Sequence, residues 1–275
     1  MKRKSFLFLI IIFAEFLLFN FVLFANSDKV SLPPPKHDGV YVIAHRGFHQ
    51  GYPENTLIAY QKAIELGADF VEVDLRTTAD GEIVSMHNSK VDDYTNDAKG
   101  TVSQFTLKEL KQIDIGSRIS PEFANQRIPT LDEILEVCKD KIGLYIDMKS
   151  ADPQTVLNKL EKYGMKYHVV WYAGPKDIKI IKKQCPDCFI MPDPGPEKHL
   201  EYFLKQFSPP IVASNFDSCS ANFVKISHEN GALVFIDDGG PKSWEESIQW
   251  GVDGIQTDYP DQLIEFLDKK CQEKK

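Results

Sequence analysis

Residues 40–47 read Val-Tyr-Val-Ile-Ala-His-Arg-Gly, an unbroken β-favouring apolar run that stops abruptly on an imidazole and a guanidinium. A run without polar alternation marks a strand covered on both faces, as in a parallel sheet flanked by helices. Similar runs occupy Phe70 to Leu75, Ile83 to His87, Leu144 to Met148, Val169 to Trp171, Phe189 to Met191, Ile211 to Ala213, Leu233 to Ile236 and Gly254 to Thr257. Amphipathic spacing between them predicts helices over Thr56 to Leu66, Leu131 to Lys139, Pro153 to Tyr163, Lys176 to Gln184, Glu197 to Gln206, Ala221 to Asn230, Ser243 to Gly251 and Pro260 to Lys270. Asn55 precedes the first helix, Thr130 with Glu133 forms a capping box, and Gly67, Gly164 and Gly231 follow helix ends. About eight β-then-α units in roughly 250 residues is the size of an α/β fold of the (β/α)8 TIM-barrel kind. A doubly wound sheet is the competing architecture, but no glycine-rich phosphate loop follows the first strand. Asn88 to Pro129 breaks the rhythm with one predicted helix, Thr106 to Gln112, and reads as an insertion between barrel units.

Of the 275 residues, 43% are hydrophobic and 26% charged, enough to build a core and exclude wholesale disorder. A net charge of −8 disfavours a nucleic-acid partner. Residues 1–25 stand apart. Lys2, Arg3 and Lys4 precede an apolar run from Phe6 to Phe24, interrupted by Glu15 and Asn20 and followed by the small residues Ala25 and Ser27. That is the layout of a secretory signal peptide. An uncleaved membrane anchor is the alternative, although Glu15 would cost it roughly 2.5 to 3.5 kcal/mol. The expected location is extracytoplasmic, periplasmic or secreted, with a membrane met only through such an anchor. Residues 26–39, with Pro33-Pro34-Pro35 as a stiff spacer, are expected to be a linker to a barrel domain over 40–270. Removing residues 1–25 takes away three positive charges and one negative, so −8 − 2 = −10 remains. Among the five cysteines, Cys185-Pro-Asp-Cys188 has redox or metal spacing without a second pair to complete a zinc site. It reads as a small local disulfide or two unrelated thiols.

Reactive groups of a parallel barrel project from the carboxyl ends of its strands. Here those ends carry His45-Arg46-Gly47, Glu72-Val73-Asp74, His87, Asp147-Met148-Lys149 and Thr257-Asp258-Tyr259. Glu72 and Asp74 share one strand face and repel each other unless a cation lies between them. Asp147 makes the set three carboxylates, hard oxygen donors suited to Mg²⁺ or Ca²⁺. Arg46 and Lys149 bring positive charge to the same rim, which together with a cation forms a receptor for phosphate. His45 and His87 supply a general base and a general acid.

In order and spacing, His45-Arg46-Gly47, Pro53-Glu54-Asn55-Thr56, Glu72-x-Asp74, His87 and Thr257-Asp258-Tyr259-Pro260 resemble the glycerophosphodiester phosphodiesterases. The resemblance runs from about residue 40 to 268 and includes Lys99-Gly100-Thr101, Thr106 to Leu110 and Ile128 to Glu133. It implies a TIM barrel with a small insertion after the second barrel strand, here about 88–129, and metal-dependent hydrolysis of a glycerophosphodiester to an alcohol and glycerol 3-phosphate. Under the same resemblance, Glu72, Asp74 and Asp147 bind one divalent cation, His45 and His87 are the acid/base pair, Arg46 and Lys149 hold the phosphate, and Glu54 and Asn55 support the site. The substrate it implies is small, such as glycerophosphocholine or glycerophosphoinositol.

Four departures from the family pattern fall near the site. Asp147 stands where glutamate is usual, Asn88 where aspartate usually follows the histidine, and Asp93-Tyr94-Thr95 where Arg-Thr-Thr is usual. Phe235-Ile-Asp-Asp-Gly-Gly240 replaces a Trp-Thr-Val-Asn-like run that lines the substrate pocket. Phospholipase D-like lipid enzymes on the same barrel, and a non-catalytic binder of phosphorylated head groups, are the alternatives. The insertion and Pro53-Glu54-Asn55-Thr56 argue against the first, and the full set of histidines and carboxylates against the second.

Overall fold

The computed structural model describes residues 30–95 and 97–273. The leading segment of residues 1–25, read above as a signal peptide or anchor, lies outside them. Among the described residues no helix is long and apolar enough to cross a membrane.

Eight parallel strands form the body: β1 (Tyr41–Ala44), β2 (Phe70–Thr77), β4 (Gly143–Met148), β5 (Val169–Tyr172), β6 (Phe189–Met191), β7 (Ile211–Asn215), β8 (Leu233–Asp237) and β9 (Gly254–Thr257). They are hydrogen-bonded in the order β6-β5-β4-β2-β1-β9-β8-β7. The two ends of that path meet through the bond from Ala213 N–H to Pro192 O, 2.9 Å, so the barrel is nearly closed. Around it pack α1 (Leu57–Leu66), α3 (Leu131–Cys138), α4 (Pro153–Tyr163), α5 (Pro175–Gln184), α6 (Leu200–Phe207), α7 (Ala221–Glu229), α8 (Trp244–Trp250) and α9 (Pro260–Glu273). Side-chain alternation then divides every strand. Val71, Val73 and Leu75 of β2, like Leu144 and Ile146 of β4, are buried in the cluster shared with the helices. Phe70, Glu72 and Asp74 take the opposite face and point into the barrel. Near the amino ends of the strands Tyr41, Phe70 and Phe235 fill the interior as an aromatic layer, with ring centroids 5.3 to 6.3 Å apart. Gly143 and Gly254 make room for it, because a Cβ there would lie 2.5 Å from Phe70 and 2.6 Å from Phe235.

Three expectations change. Ile83 to His87 is not a barrel strand: β3 (Ile83–Ser85) runs antiparallel to β2 as the return arm of a hairpin, with Thr77 opposite Ile83. Its apolar run reports burial, which is the same for either direction. The chain therefore leaves the barrel at Thr78 rather than at Asn88. The predicted helix over Thr106 to Gln112 shortens to α2 (Leu107–Leu110), started by a Thr106/Glu109 capping box. The insertion folds around its own small core, which includes Val84, Met86, Val102, Leu110 and Ile128. Finally, residues from Pro33 onward are not a free spacer, because they pack on the barrel. The Tyr41 hydroxyl donates to Pro33 O at 2.7 Å, Lys36 N–H to Asp69 Oδ1 at 3.0 Å and Lys36 Nζ to Ala68 O at 2.6 Å. Cys185 and Cys188 form a disulfide.

Candidate active site

Parallel pairing of β2 with β4 sets Asp74 beside Asp147 and Glu72 beside Tyr145. Glu72, Asp74 and Asp147 thereby each offer an oxygen, all within 4.8 Å of one another. Two ligands of one ion lie at most two bond lengths apart, about 4.6 to 5.2 Å for Ca²⁺. A set within that bound is compact enough to share one hard divalent cation. Asp74 is fully buried, and its Oδ1 makes no hydrogen bond, its charged partner being the Lys149 ammonium at 3.3 Å. Hard oxygens, a short span and a buried carboxylate oxygen left without a hydrogen bond together fit a divalent cation.

Electrostatics point the same way. Burial, with Asp74 and Asp147 adding repulsion, pushes the Glu72 carboxyl well above the usual carboxylate range. Burial also works against ionisation of Asp74, but Lys149 and the Asn55 amide outweigh it and hold this carboxyl below its ordinary value. At Asp147 burial prevails over Lys149 and the value rises. A proton therefore favours the cluster without a metal, and a bound cation would displace it.

Asn55, at the left-handed φ of 53°, donates from Nδ2 to Asp74 Oδ2 at 2.7 Å. Its own Oδ1 accepts from the Tyr60 hydroxyl at 2.9 Å and the Ser85 hydroxyl at 2.8 Å, which fixes the amide. Arg46, also left-handed at φ 54°, donates its backbone N–H to Glu72 Oε2 at 2.8 Å. Its guanidinium reaches Glu54 at 3.0 Å, and Glu54 also accepts from the Tyr94 hydroxyl at 2.9 Å. The Lys149 ammonium lies 2.6 Å from Asp147 and 3.3 Å from Asp74 Oδ1.

Both histidines are held through Nδ1. His45 Nδ1 meets Asp258 Oδ1 at 2.6 Å, and since a carboxylate only accepts, the ring proton belongs on Nδ1. His45 Nε2 is then an acceptor, and Arg46 Nε–H donates to it at 3.2 Å. His87 Nδ1 meets Asn88 Oδ1 at 2.8 Å, and Asn88 Nδ2 donates to Asp93 Oδ2 at 2.8 Å. Asp93 thus orients the amide so that its oxygen faces the imidazole, which again leaves Nε2 as the free acceptor. Neutral Asn88 performs the orienting part of the expected aspartate.

His45, His87, Arg46, Glu72, Asp147 and Lys149 all line one cavity of about 260 Å³ at the carboxyl end of the barrel. Asp74, Asn55 and Glu54 stand behind that wall. A cavity of about 360 Å³ at the opposite end, lined by Pro33, Tyr41 and Phe70 among others, holds no comparable set. Sequence reading left Asp258 without a role, although its place at a strand end was the available signal. Tyr60, Ser85, Tyr94, Gln256 and Asp193 carried no local signal, because their importance comes from contacts with distant segments.

A parallel barrel with a metal-type carboxylate triad, two oriented imidazoles and two cations at its carboxyl end defines a phosphate-ester hydrolase site. The sequence model of the glycerophosphoryl diester phosphodiesterase family matches residues 45–193. Glycerophosphodiester phosphodiesterases of Caldanaerobacter subterraneus and Bacillus altitudinis are 33% and 38% identical, each match covering 83% of this chain and 98% of the relative. A crystal structure of glycerophosphodiester phosphodiesterase from Agrobacterium tumefaciens superposes with a TM-score of 0.72 at 24% identity over 81% of this chain and 97% of that one. An Oleispira antarctica phosphodiesterase, solved in complex with the product sn-glycerol-3-phosphate, gives 0.74 at 21% identity over 85% and 96%. The chain belongs to the glycerophosphoryl diester phosphodiesterase family and is an enzyme of that family.

Proposed function

We propose that the protein hydrolyses a small glycerophosphodiester, such as glycerophosphocholine or glycerophosphoinositol, to an alcohol and glycerol 3-phosphate. A divalent cation held by Glu72, Asp74 and Asp147 assists, and His45 and His87 transfer the protons. The observation that carries this reading is the convergence of both histidines, Arg46, Lys149 and the carboxylate triad on one cavity. When bound, the cation polarises the phosphoryl oxygens and offsets charge that grows in the transition state. Arg46, backed by Glu54, binds and orients the phosphate, and Lys149 adds positive charge across the cavity. One imidazole takes a proton at Nε2 from the attacking group, a glycerol hydroxyl or a water, as the new oxygen–phosphorus bond forms. The other gives a proton to the departing alcohol oxygen as its bond to phosphorus breaks. Where the glycerol hydroxyl attacks, a water must then open the resulting cyclic phosphate to give glycerol 3-phosphate.

The test is release of glycerol 3-phosphate from a panel of glycerophosphodiesters, with and without EDTA. Chelation should abolish turnover and Ca²⁺ or Mg²⁺ should restore it, whereas turnover indifferent to chelator would sink the metal assignment. His45→Ala and His87→Ala should each lose roughly 10²- to 10⁴-fold in kcat. Either variant remaining unimpaired would remove that histidine from the mechanism. We further propose that the enzyme works outside the cytoplasm, a reading supported by the basic, apolar and small pattern of residues 1–25 and by the Cys185–Cys188 disulfide. Cell fractionation with a tag at the carboxyl terminus tests it.

A further inference from the structure

The rest of the wall of the same cavity carries polar groups to which the reaction proposed above gives no part. These are Asp193 just beyond β6, Asp237 ending β8 and Gln256 on β9, with the rings of Tyr145, beside Glu72 in register, and Tyr172, beside Asp147. Asp237 and Gln256 are register partners across β8 and β9, so they stand side by side on one face. Among the described residues no lysine or arginine forms an ion pair with Asp193 or Asp237, whereas Asp147 has Lys149 and Glu54 has Arg46. Gln256 is 8% exposed, and its Oε1 is a buried oxygen with no donor. Tyr145 and Tyr172 stack at 5.9 Å, and the Tyr172 hydroxyl donates to Asp193 Oδ2 at 3.2 Å.

Resting on the function proposed above, we infer that this wall recognises a protonated primary amine on the alcohol arm of the substrate, as in an ethanolamine-type head group. The chemistry of the wall selects that group from the alternatives. Carboxylates only accept hydrogen bonds, and the orphaned Gln256 oxygen also requires a donor. A neutral polyol supplies donors but leaves two carboxylates without a counter-charge. A quaternary ammonium supplies charge and can rest on the tyrosine faces, but it has no N–H for Gln256. A –NH₃⁺ group supplies both charge and three donors. The cations proposed to hold the phosphate are paired elsewhere, Arg46 with Glu54 and Lys149 with Asp147 and Asp74, and neither forms an ion pair with Asp193 or Asp237. Asp237 belongs to the segment that departs from the family pattern, so the preference is a property of this chain.

The experiment compares kcat/KM of the intact protein, supplied with Ca²⁺ or Mg²⁺, for sn-glycero-3-phosphoethanolamine, -phosphocholine and -phosphoinositol. The ethanolamine diester should be favoured over the inositol diester by about fivefold or more, and the difference should appear mainly in KM. Asp237→Asn, at the open mouth where folding is not at risk, should lower the ethanolamine-to-inositol ratio by about fivefold, equivalent to about 1 kcal/mol. Gln256→Met should lower the ethanolamine-to-choline ratio. Equal use of the three diesters, or an Asp237→Asn loss of the same size on all of them, overturns the inference while leaving the activity intact. If no diester releases glycerol 3-phosphate, the proposed function fails, and calorimetric binding to the His87→Ala protein decides the head-group question separately. Tighter binding of the ethanolamine diester than of the inositol diester, with the gap closed in His87→Ala/Asp237→Asn, supports the amine site, and equal binding overturns it.

Discussion

At the residue scale, orientation matters as much as identity. His45 and His87 are positioned alike but differ in what backs them, a carboxylate at one and an amide at the other. The hydrogen bond from His45 holds the Asp258 carboxyl below its ordinary value of 3.8. A depressed carboxyl contributes stability that is fully present above its unfolded pKa and is lost as pH falls through the folded value. Comparing melting temperatures of the wild type and Asp258→Asn should therefore show a gap near neutral pH that narrows below pH 3.8. A gap that widens on acidification would contradict the pairing. Much of this site was legible in sequence, since strand periodicity says which residues face inward and a strand's last residues stand at the mouth. Glu72, Asp74, Asp147 and His45 were placed at the mouth in that way, whereas His87 was reached through a run taken for a barrel strand that is the return arm of the hairpin. The partner of His45 was not found, because Asp258 lies 213 residues away along the chain. Likewise the chain of bonds from Tyr60 and Ser85 through Asn55 to Asp74 depends on three separate segments meeting.

At the element scale, the β1–α1 connection and the β2–β3 hairpin carry most of the information. Arg46 and Gly47 are consecutive left-handed residues, φ 54° and 81°, which swing the chain off β1 and aim the Arg46 N–H at Glu72. A Cβ on Gly47 would fall 2.8 Å from the Ala59 backbone and side chain on α1. Gly47→Ala should therefore destabilise the fold by about 1 to 3 kcal/mol through strain and overpacking. It should also depress activity by shifting Arg46. Denaturant unfolding alongside the phosphodiesterase assay checks both effects, and an unchanged unfolding midpoint would show that α1 can yield. The hairpin is where sequence reading of the fold failed. The apolar run Ile83 to His87 has the composition of a barrel strand, and apolarity alone does not report strand direction. Asp80-Gly81 sits in the turn, closed by Thr78 N–H to Glu82 O at 2.9 Å, and that dipeptide was the unused hairpin signal.

For the whole molecule, the catalytic mouth concentrates like charge that the fold alone does not neutralise. A ligand that binds only the native state stabilises it by mass action, by about 2.7 kcal/mol at one hundred times its Kd. For a domain of this size each kcal/mol moves Tm by about 2 to 4 °C, so saturating Ca²⁺ or Mg²⁺ should raise Tm by about 5 to 10 °C and EDTA should reverse it. The rise should vanish in Asp74→Asn, and a Tm indifferent to metal in the wild type would argue against a resident cation. The barrel itself was legible from the rhythm of buried runs and capped helices. The insertion was legible only as an interruption, because its own core draws on residues scattered between Val84 and Ile128.

The aromatic layer of Tyr41, Phe70 and Phe235 has a kinetic side. It fills the barrel interior beneath the reacting groups, so substrate and products would pass through the carboxyl-end mouth. The neutral or cationic alcohol is free to go first. With the phosphate held as proposed, the monoester would keep the cationic anchors that held the diester and gain a negative charge, and would leave last from the place the next substrate needs. On the function proposed above, glycerol 3-phosphate should therefore inhibit its own production competitively, which initial rates measured with added product check.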